Sequence, residues 1–305
     1  MNSIDQTPGK PVTNFLSIDV EDYFMVSAFA DSIKFEDWGA FESRIERNTR
    51  RILELLGAQG VTATFFVLGW VGKQFPGVVR EIHAAGHEIA CHGYNHRLVY
   101  DQTPLEFRED IRKAKRILED ITGTGVAGYR AASFSVIKET LWALEVLIEE
   151  GFTYDSSIFP VHHDRYGMPE AGRFPHRITT GSGPITEFPP STYKLFSQNI
   201  PIGGGGYLRL FPLALTMRAI TAINEQEKEP AVLYLHPWEI DADQPRMNGR
   251  LLSKLRHYIN LRSTMPKLIT LLNEFDFQEL SASHLHHGFP SASGFARAGV
   301  DRETI

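Results

Sequence analysis

The sequence predicts an α/β protein in which helices surround a parallel sheet or a (β/α) barrel. Segments rich in β-branched and aromatic residues alternate along the chain with amphipathic helical segments, in the order βαβαβα. Several predicted strands run directly into aspartate, glutamate, histidine or arginine, which is how an α/β enzyme assembles a site at one edge of its sheet. A chain of 305 residues can bury a large core in one domain or two.

The predicted strands are short apolar runs: in chain order, 13–20, 61–67, 87–92, 126–130, 152–154 and 231–235. The helices show apolar residues at helical spacing: 44–57, a short helix after Pro76, 104–121 and 138–150. Thr103 is expected to cap the helix at 104, because Glu106 completes a capping box. Gly57, Gly60 and Gly151 mark helix ends.

The alternating pattern breaks between residues 156 and 212, where several prolines and a run of four glycines predict a loop-rich insertion. Long loops inside a compact domain are usually functional. We therefore expect one domain over 13–283, a disordered N-terminal segment over 1–12 and a flexible C-terminal tail over 284–305.

Composition excludes several classes of protein. A net charge of −6 gives no reason to expect nucleic acid or an anionic membrane as a partner. No window approaches the ~20 apolar residues of a membrane span, so we do not expect an integral membrane protein. The single cysteine, Cys91, cannot form an internal disulfide and fits a reducing compartment. The N-terminus lacks the pattern of a secretion signal, which predicts a cytoplasmic location.

His92 and His96 follow the strand at 87–92 and place two imidazoles on one turn. Such a pair can hold a divalent metal if a carboxylate arrives from elsewhere, although an isolated pair of this kind is weak evidence. Asp19, Glu21 and Asp22 follow the first strand and should lie on the same edge of the sheet. The plainer alternative for these acids is a solvated turn.

Three further strands end in polar residues. Arg130 could fix a buried carboxylate and keep it ionised, or could be an ordinary surface residue. Asp155 could hold a histidine or could cap a turn. His236 follows the strand at 231–235 and begins the sequence His-Pro-Trp-Glu.

Taken in order, these positions resemble the motifs of the polysaccharide deacetylases that share the NodB homology domain, carbohydrate esterase family 4. Residues 17–22 resemble the family's Thr-Phe-Asp-Asp motif, and residues 92–96 resemble its His-x-x-x-His motif. Residues 130–132 are similar to its Arg-x-Pro motif and residues 154–156 to its Asp-containing motif. Residues 233–237 are similar to its Leu-x-x-His-Pro motif. The resemblance spans about 13–280. The sequences Asp-Val-Glu-Asp-Tyr-Phe and His-Pro-Trp-Glu resemble the exosortase-associated exopolysaccharide branch.

The resemblance implies a distorted (β/α) barrel that removes N-acetyl groups from amino sugars of a polysaccharide or glycan precursor, in exopolysaccharide biosynthesis. It implies a divalent metal, Zn²⁺ first, with Co²⁺, Mn²⁺ or Ni²⁺ as other candidates. The ligands carried over are Asp22, His92 and His96. Glu21 is the alternative to Asp22, because two residues separate Asp19 from Asp22 where the family has adjacent aspartates.

The other motif positions take roles by the same resemblance. Asp19 is the catalytic base, oriented by Arg130. His236 is the catalytic acid, and Asp155 holds its second ring nitrogen. The substrate-binding candidates are a backbone N–H near Ala131, as oxyanion donor, and two rings that could stack on sugar, Tyr94 and Trp238.

Ala132 stands where the family commonly has proline, which makes that loop less rigid.

An N-acetylated glycan is thus the expected partner, together with contact to membrane-associated polysaccharide machinery. Two other functions stay open. One is a metal-independent hydrolase of cyclic amides, like allantoinase, on the same fold; the Asp, His, His set argues against it. The other is a non-catalytic glycan-binding relative, against which the presence of both an acid and a base argues.

Overall fold

The structure is a computed structural model that describes residues 12–163 and 166–281. The expected tail at 284–305, and all but the last residue of the expected N-terminal segment at 1–12, lie outside the described residues.

A largely parallel nine-stranded sheet forms the centre of the domain. Its strands are β1 (Asn14–Val20), β2 (Thr64–Val67), β3 (Glu88–Cys91), β4 (Gly128–Tyr129), β5 (Tyr154–Asp155), β6 (His176–Thr180), β7 (Gly183–Glu187), β10 (Val232–Leu235) and β11 (Phe277–Gln278); β8 (Thr192–Leu195) and β9 (Gln198–Pro201) form a separate hairpin. The order is β10-β1-β2-β3-β4-β5-β7-β6, with β11 beside β1. Within this sheet only the β6–β7 pair is antiparallel.

The chain after β7 links the far side of the sheet back to β10. The Ser191 amide donates to the Val232 carbonyl (3.0 Å), and the Tyr234 amide donates to the Gly203 carbonyl (2.7 Å). These bonds curl the sheet into a distorted barrel, which confirms the expected fold class. The segment 156–212 is more regular than predicted, since it contains β6 to β9. Each of these strands has only four or five residues, many of them polar, so none forms an apolar run that predicts a strand.

Helices pack outside the sheet: α1 (Ile45–Gln59), α2 (Gly69–Gln74), α3 (Pro76–Ala84), α4 (Pro104–Thr122), α5 (Trp142–Glu149), α6 (Gly205–Leu210), α7 (Leu213–Ala222), α8 (Leu251–Tyr258) and α9 (Thr264–Glu274). The predicted capping box is present, since the Glu106 amide donates to Thr103 Oγ1 (3.3 Å) and the Thr103 amide donates to Glu106 Oε2 (2.8 Å). Within the described residues, no helix has the length and apolarity that crossing a membrane would require.

Candidate active site

The parallel arrangement brings the carboxyl ends of β1, β3, β4 and β10 to one edge of the sheet. Glu21, His92 and His96 meet there, and each offers one ligand atom within 4.8 Å of the others. Glu21 Oε2 lies 3.2 Å from His96 Nε2. Two imidazoles and a carboxylate converging in this way form the donor set of a catalytic zinc site.

Both imidazoles are held by bonds to the ring nitrogen that faces away from the cluster. His92 Nδ1 lies 2.8 Å from the carbonyl oxygen of Arg130, to which only an N–H can donate. His96 Nδ1 lies 3.3 Å from Ser27 Oγ. The bond to the carbonyl fixes the tautomer of His92 and leaves its Nε2 as a lone-pair donor, and the bond to Ser27 orients the ring of His96, as is usual for metal-binding histidines.

The protonation states in this cluster also suit a cation. Burial alone would raise the pKa of the Glu21 carboxyl, but the imidazoles of His96, His236 and His92 outweigh it and lower that pKa to about 2. Burial lowers the pKa of His96 to about 4, against the opposing effect of Glu21. The cluster therefore holds an ionised carboxylate and a neutral imidazole. Glu21 Oε2 is buried and has no hydrogen-bond partner among the described residues, so a cation there would satisfy it.

Asp22, the ligand favoured by family resemblance, points elsewhere and the alternative Glu21 takes its place. Asp22 Oδ2 accepts hydrogen bonds from Ser43 Oγ and the Arg44 amide, both at 2.7 Å. Burial raises the pKa of Asp22, while these bonds oppose the rise. The chain turns after β1, so that neighbouring side chains diverge. Asp22 anchors the residues that precede α1, and the assignment of Asp22 as ligand is corrected.

Asp19 and Arg130 lie together as the sequence analysis expected. Arg130 Nη1 donates to Asp19 Oδ1 at 2.6 Å, and both side chains are buried. The guanidinium also donates to Ser17 Oγ (2.8 Å) and Ser156 Oγ (2.7 Å) and lies 4.1 Å from the centre of the Phe66 ring. These contacts hold the guanidinium in place, and through it they orient the carboxylate of Asp19.

His236 completes the site from β10. Its Nε2 lies 3.0 Å from Glu21 Oε1 and 3.9 Å from Asp19 Oδ2. Burial would lower the pKa of His236, but Glu21 and Glu239 outweigh it and raise that pKa to about 10. The side chain remains 18% exposed, the most open position among these groups, so it can meet a ligand from the solvent side.

Glu239, not Asp155, holds the second ring nitrogen of His236. Glu239 Oε2 lies 3.0 Å from His236 Nδ1, and Glu239 Oε1 accepts from Arg209 Nε at 3.0 Å. The turn Pro237–Ile240 after β10 folds the carboxylate back onto the imidazole three residues earlier. Sequence analysis missed both Glu239 and Arg209. The His-x-x-Glu spacing could have indicated the first, whereas no local signal identifies the second.

Asp155 lies in a different cluster, so its assignment to His236 is corrected. Its Oδ1 accepts from Ser157 Oγ at 2.5 Å, and burial raises its pKa to about 6. Burial and Asp155 together raise the pKa of neighbouring Glu187 well above its usual range. The Ala131 amide donates to Ser157 Oγ (2.8 Å) and so is not free as an oxyanion donor, which corrects that expectation too.

The two aromatic candidates are core residues. Trp238 is stacked between the rings of His236 and His257, with centroid distances of 5.2 and 4.1 Å. Tyr94 is buried, and the Lys113 ammonium lies 3.3 Å from its ring centre. Neither ring offers a face to a sugar, so both assignments to substrate binding are corrected.

A cleft of about 500 Å³ opens beside the cluster. His96 and Ser133 are among its lining residues, and many of the residues between 24 and 38 form one wall. Ser133 Oγ donates to Ser27 Oγ at 2.9 Å, which joins the loop after β4 to this wall. Ser133 and Phe134 have φ of 51° and 55°, a left-handed conformation that is unusual outside glycine and typical of functional loops.

Comparison with known proteins finds two family models that match this chain. Residues 32–149 match the family model described as polysaccharide deacetylase, and residues 156–284 match a model described as a domain of unknown function, DUF3473. The peptidoglycan deacetylase of Helicobacter pylori is 32% identical over 116 residues, 37% of this chain and 37% of that protein. The chitooligosaccharide deacetylase of Azorhizobium caulinodans is 28% identical over 32% of this chain and 45% of that protein. The alignments thus cover less than half of either relative.

Two solved structures share the fold. A putative polysaccharide deacetylase from Mycobacterium smegmatis aligns with a TM-score of 0.58 at 22% identity, over 95% of this chain and 99% of that one. A probable polysaccharide deacetylase from Pseudomonas aeruginosa PAO1 aligns with a TM-score of 0.54 at 17% identity, over 87% and 86%. At these identities the two structures show that this chain shares their fold.

Proposed function

We propose that this relative of the polysaccharide deacetylases is a metal-dependent hydrolase that removes N-acetyl groups from the amino sugars of a glycan. The observation that carries the proposal is the Glu21, His92, His96 cluster with Asp19 and His236 beside it. A divalent ion of the zinc type, when bound, supplies Lewis-acid activation of water and the acetyl carbonyl. Zn²⁺ is the first candidate, because nitrogen and carboxylate donors suit it, and Co²⁺, Mn²⁺ or Ni²⁺ can use the same ligands.

The protein residues supply the proton transfers. Asp19, held by Arg130, accepts a proton as water adds to the acetyl carbon. His236 gives a proton from Nε2 to the sugar nitrogen as the C–N bond breaks, so that acetate and a free amine leave. Glu239 accepts the hydrogen bond from Nδ1 of the same ring and keeps Nε2 directed at the substrate. The 3.9 Å between His236 Nε2 and Asp19 Oδ2 lets both groups serve one amide.

The finer identity of the glycan belongs to the same proposal. Resemblance of the Asp-Val-Glu-Asp-Tyr-Phe and His-Pro-Trp-Glu sequences to the exosortase-associated branch favours a polymer made for export. We also keep the cytoplasmic location and the contact with polysaccharide machinery as proposals.

An assay of acetate and amine release tests the reaction. The purified protein, loaded with Zn²⁺, is incubated with chitooligosaccharides, with peptidoglycan and with an acetylated exopolysaccharide. We expect release from at least one of these and its loss after chelation, with recovery when Zn²⁺ is restored. His92→Ala is the matched inactive control. Activity that persists in the chelated protein and in His92→Ala would refute the metal-dependent reaction, and so would a zinc-loaded protein that deacetylates none of the three.

A further inference from the structure

Helix α8 carries an exposed apolar face. Leu251, Leu252 and Leu255 are 83%, 57% and 59% exposed, whereas His257 is the buried residue of this helix. Leu255 follows Leu251 by four positions and Leu252 by three, so the three leucines share one face of the helix. Exposed leucines occurring singly are ordinary, but a cluster on one short helix indicates a surface that is covered in use.

The same region is strongly basic in a chain whose net charge is −6. Residues 244–273 contain six lysines and arginines and no aspartate or glutamate. Lys254 and Arg256 flank the three leucines along α8. Asp31 offers one opposing charge from outside the segment, through an exposed contact of 3.2 Å with Arg250. Contacts of that exposed kind contribute little, so the positive charge stays available.

We propose that α8 docks the protein on an anionic membrane surface. A helix with leucines on one face and flanking cations lies in the interface, where its apolar face enters the lipid boundary and its cations meet acidic headgroups. A second copy of this chain fits less well, because a two-fold contact would set the two basic segments against each other. The acidic net charge of the whole chain does not oppose docking, since attraction to headgroups acts within about 10 Å of the surface.

Helix α8 begins beside the cleft that opens next to the candidate active site. Arg250 and Ser253, at the start of the helix, line the same cleft as His96. A protein docked through α8 would therefore hold that side of the cleft near the headgroups.

Vesicle co-sedimentation tests the proposal on the full chain. We expect binding to vesicles containing a third phosphatidylglycerol, weakened by added salt, and at least tenfold less binding to pure phosphatidylcholine. The double variant Lys254→Glu/Arg256→Glu should bind at least tenfold more weakly, because each cation near the surface contributes a several-fold factor. Leu251→Ser/Leu252→Ser/Leu255→Ser should also lose binding. The matched control is Lys73→Glu/Arg80→Glu, which changes the net charge equally at two exposed positions outside this segment.

Three results would overturn docking on lipid. Equal binding to neutral and anionic vesicles would be one, and undiminished binding by the Lys254→Glu/Arg256→Glu variant would be another. The third is a dimer in light scattering that the leucine variant converts to monomer, which would show that a second copy covers this face. His92→Ala/His96→Ala should bind vesicles normally, so the result does not depend on whether the proposed reaction is correct. Circular dichroism of each variant checks that it is folded.

Discussion

The carboxylate of Glu239 lies 3.0 Å from Nδ1 of His236, three residues earlier on the same turn, and is itself held by Arg209. Both Glu239 and Arg209 are buried. The partner of His236, the candidate catalytic acid, is therefore Glu239 on the turn after β10. It is not Asp155, which lies on β5.

Replacing Glu239 should impair the reaction more than replacing Asp155. We expect Glu239→Ala to lower kcat about 10–100-fold, as is common when the partner of a working imidazole is lost, while bound metal is retained. Asp155→Asn is the comparison, and its kcat should stay within a few-fold of the starting protein. Steady-state kinetics and metal analysis measure both. The opposite ranking would return the role to Asp155.

Metal binding should depend on Glu21 and not on Asp22. Glu21→Gln weakens one of three protein ligands, so the protein should lose bound zinc on dialysis against a weak chelator. Asp22→Asn should keep zinc but unfold more easily, by about 1–3 kcal/mol, because the buried bonds to Ser43 and the Arg44 amide are damaged. Elemental analysis and thermal unfolding separate the two effects. Loss of zinc only in Asp22→Asn would contradict the observed geometry.

Asp19 should be needed for turnover and not for metal binding. Asp19→Asn keeps the shape of the side chain but cannot accept the proton of the attacking water, so we expect kcat to fall by about 10²–10⁴-fold with zinc retained. Arg130 would then face an amide, so a folding control is required, and near-UV circular dichroism provides it. Near-normal turnover in the folded variant would remove Asp19 from the mechanism.

The buried pair of Asp155 and Glu187 should make stability depend on pH. Burial raises the pKa of both carboxyls above their values in the unfolded chain, that of Asp155 to about 6. The folded state therefore keeps a proton that the unfolded chain releases near pH 4, and this stability is present below pH 4 and lost as pH rises through 6.

Glu187→Gln should flatten this dependence, since its amide can donate to Asp155 without carrying charge. We expect the fall in unfolding free energy between pH 4 and 7 to shrink in the variant, because one of the two carboxyls with a raised pKa is then absent. Urea unfolding at several pH values measures it. An unchanged slope would mean that the pair does not share a proton.

Sequence alone determined the strands and helices of the first half of the chain, the strand before His236, and the edge of the sheet on which the site lies. The strand at 87–92 and the histidines after it are a local pattern, and parallel strands align their carboxyl ends whatever their order. Asp19, His92, His96, Arg130 and His236 could therefore be placed together before any coordinates were known. Thr103 and Glu106 fixed a helix start in the same local way.

Only the tertiary structure decided which acidic residue faces the histidines and which one holds His236. Glu21 and Asp22 are adjacent, and whether one or the other faces the histidines depends on how the chain turns after β1, a turn held by Ser43 from a distant segment. Asp155 lies beside Glu187 and not beside His236, and Glu187 is on a strand that the sequence pattern did not predict. Arg209 reaches Glu239 across thirty residues of chain. Side-chain partners of this kind are set by packing between elements, and no local spacing encodes them.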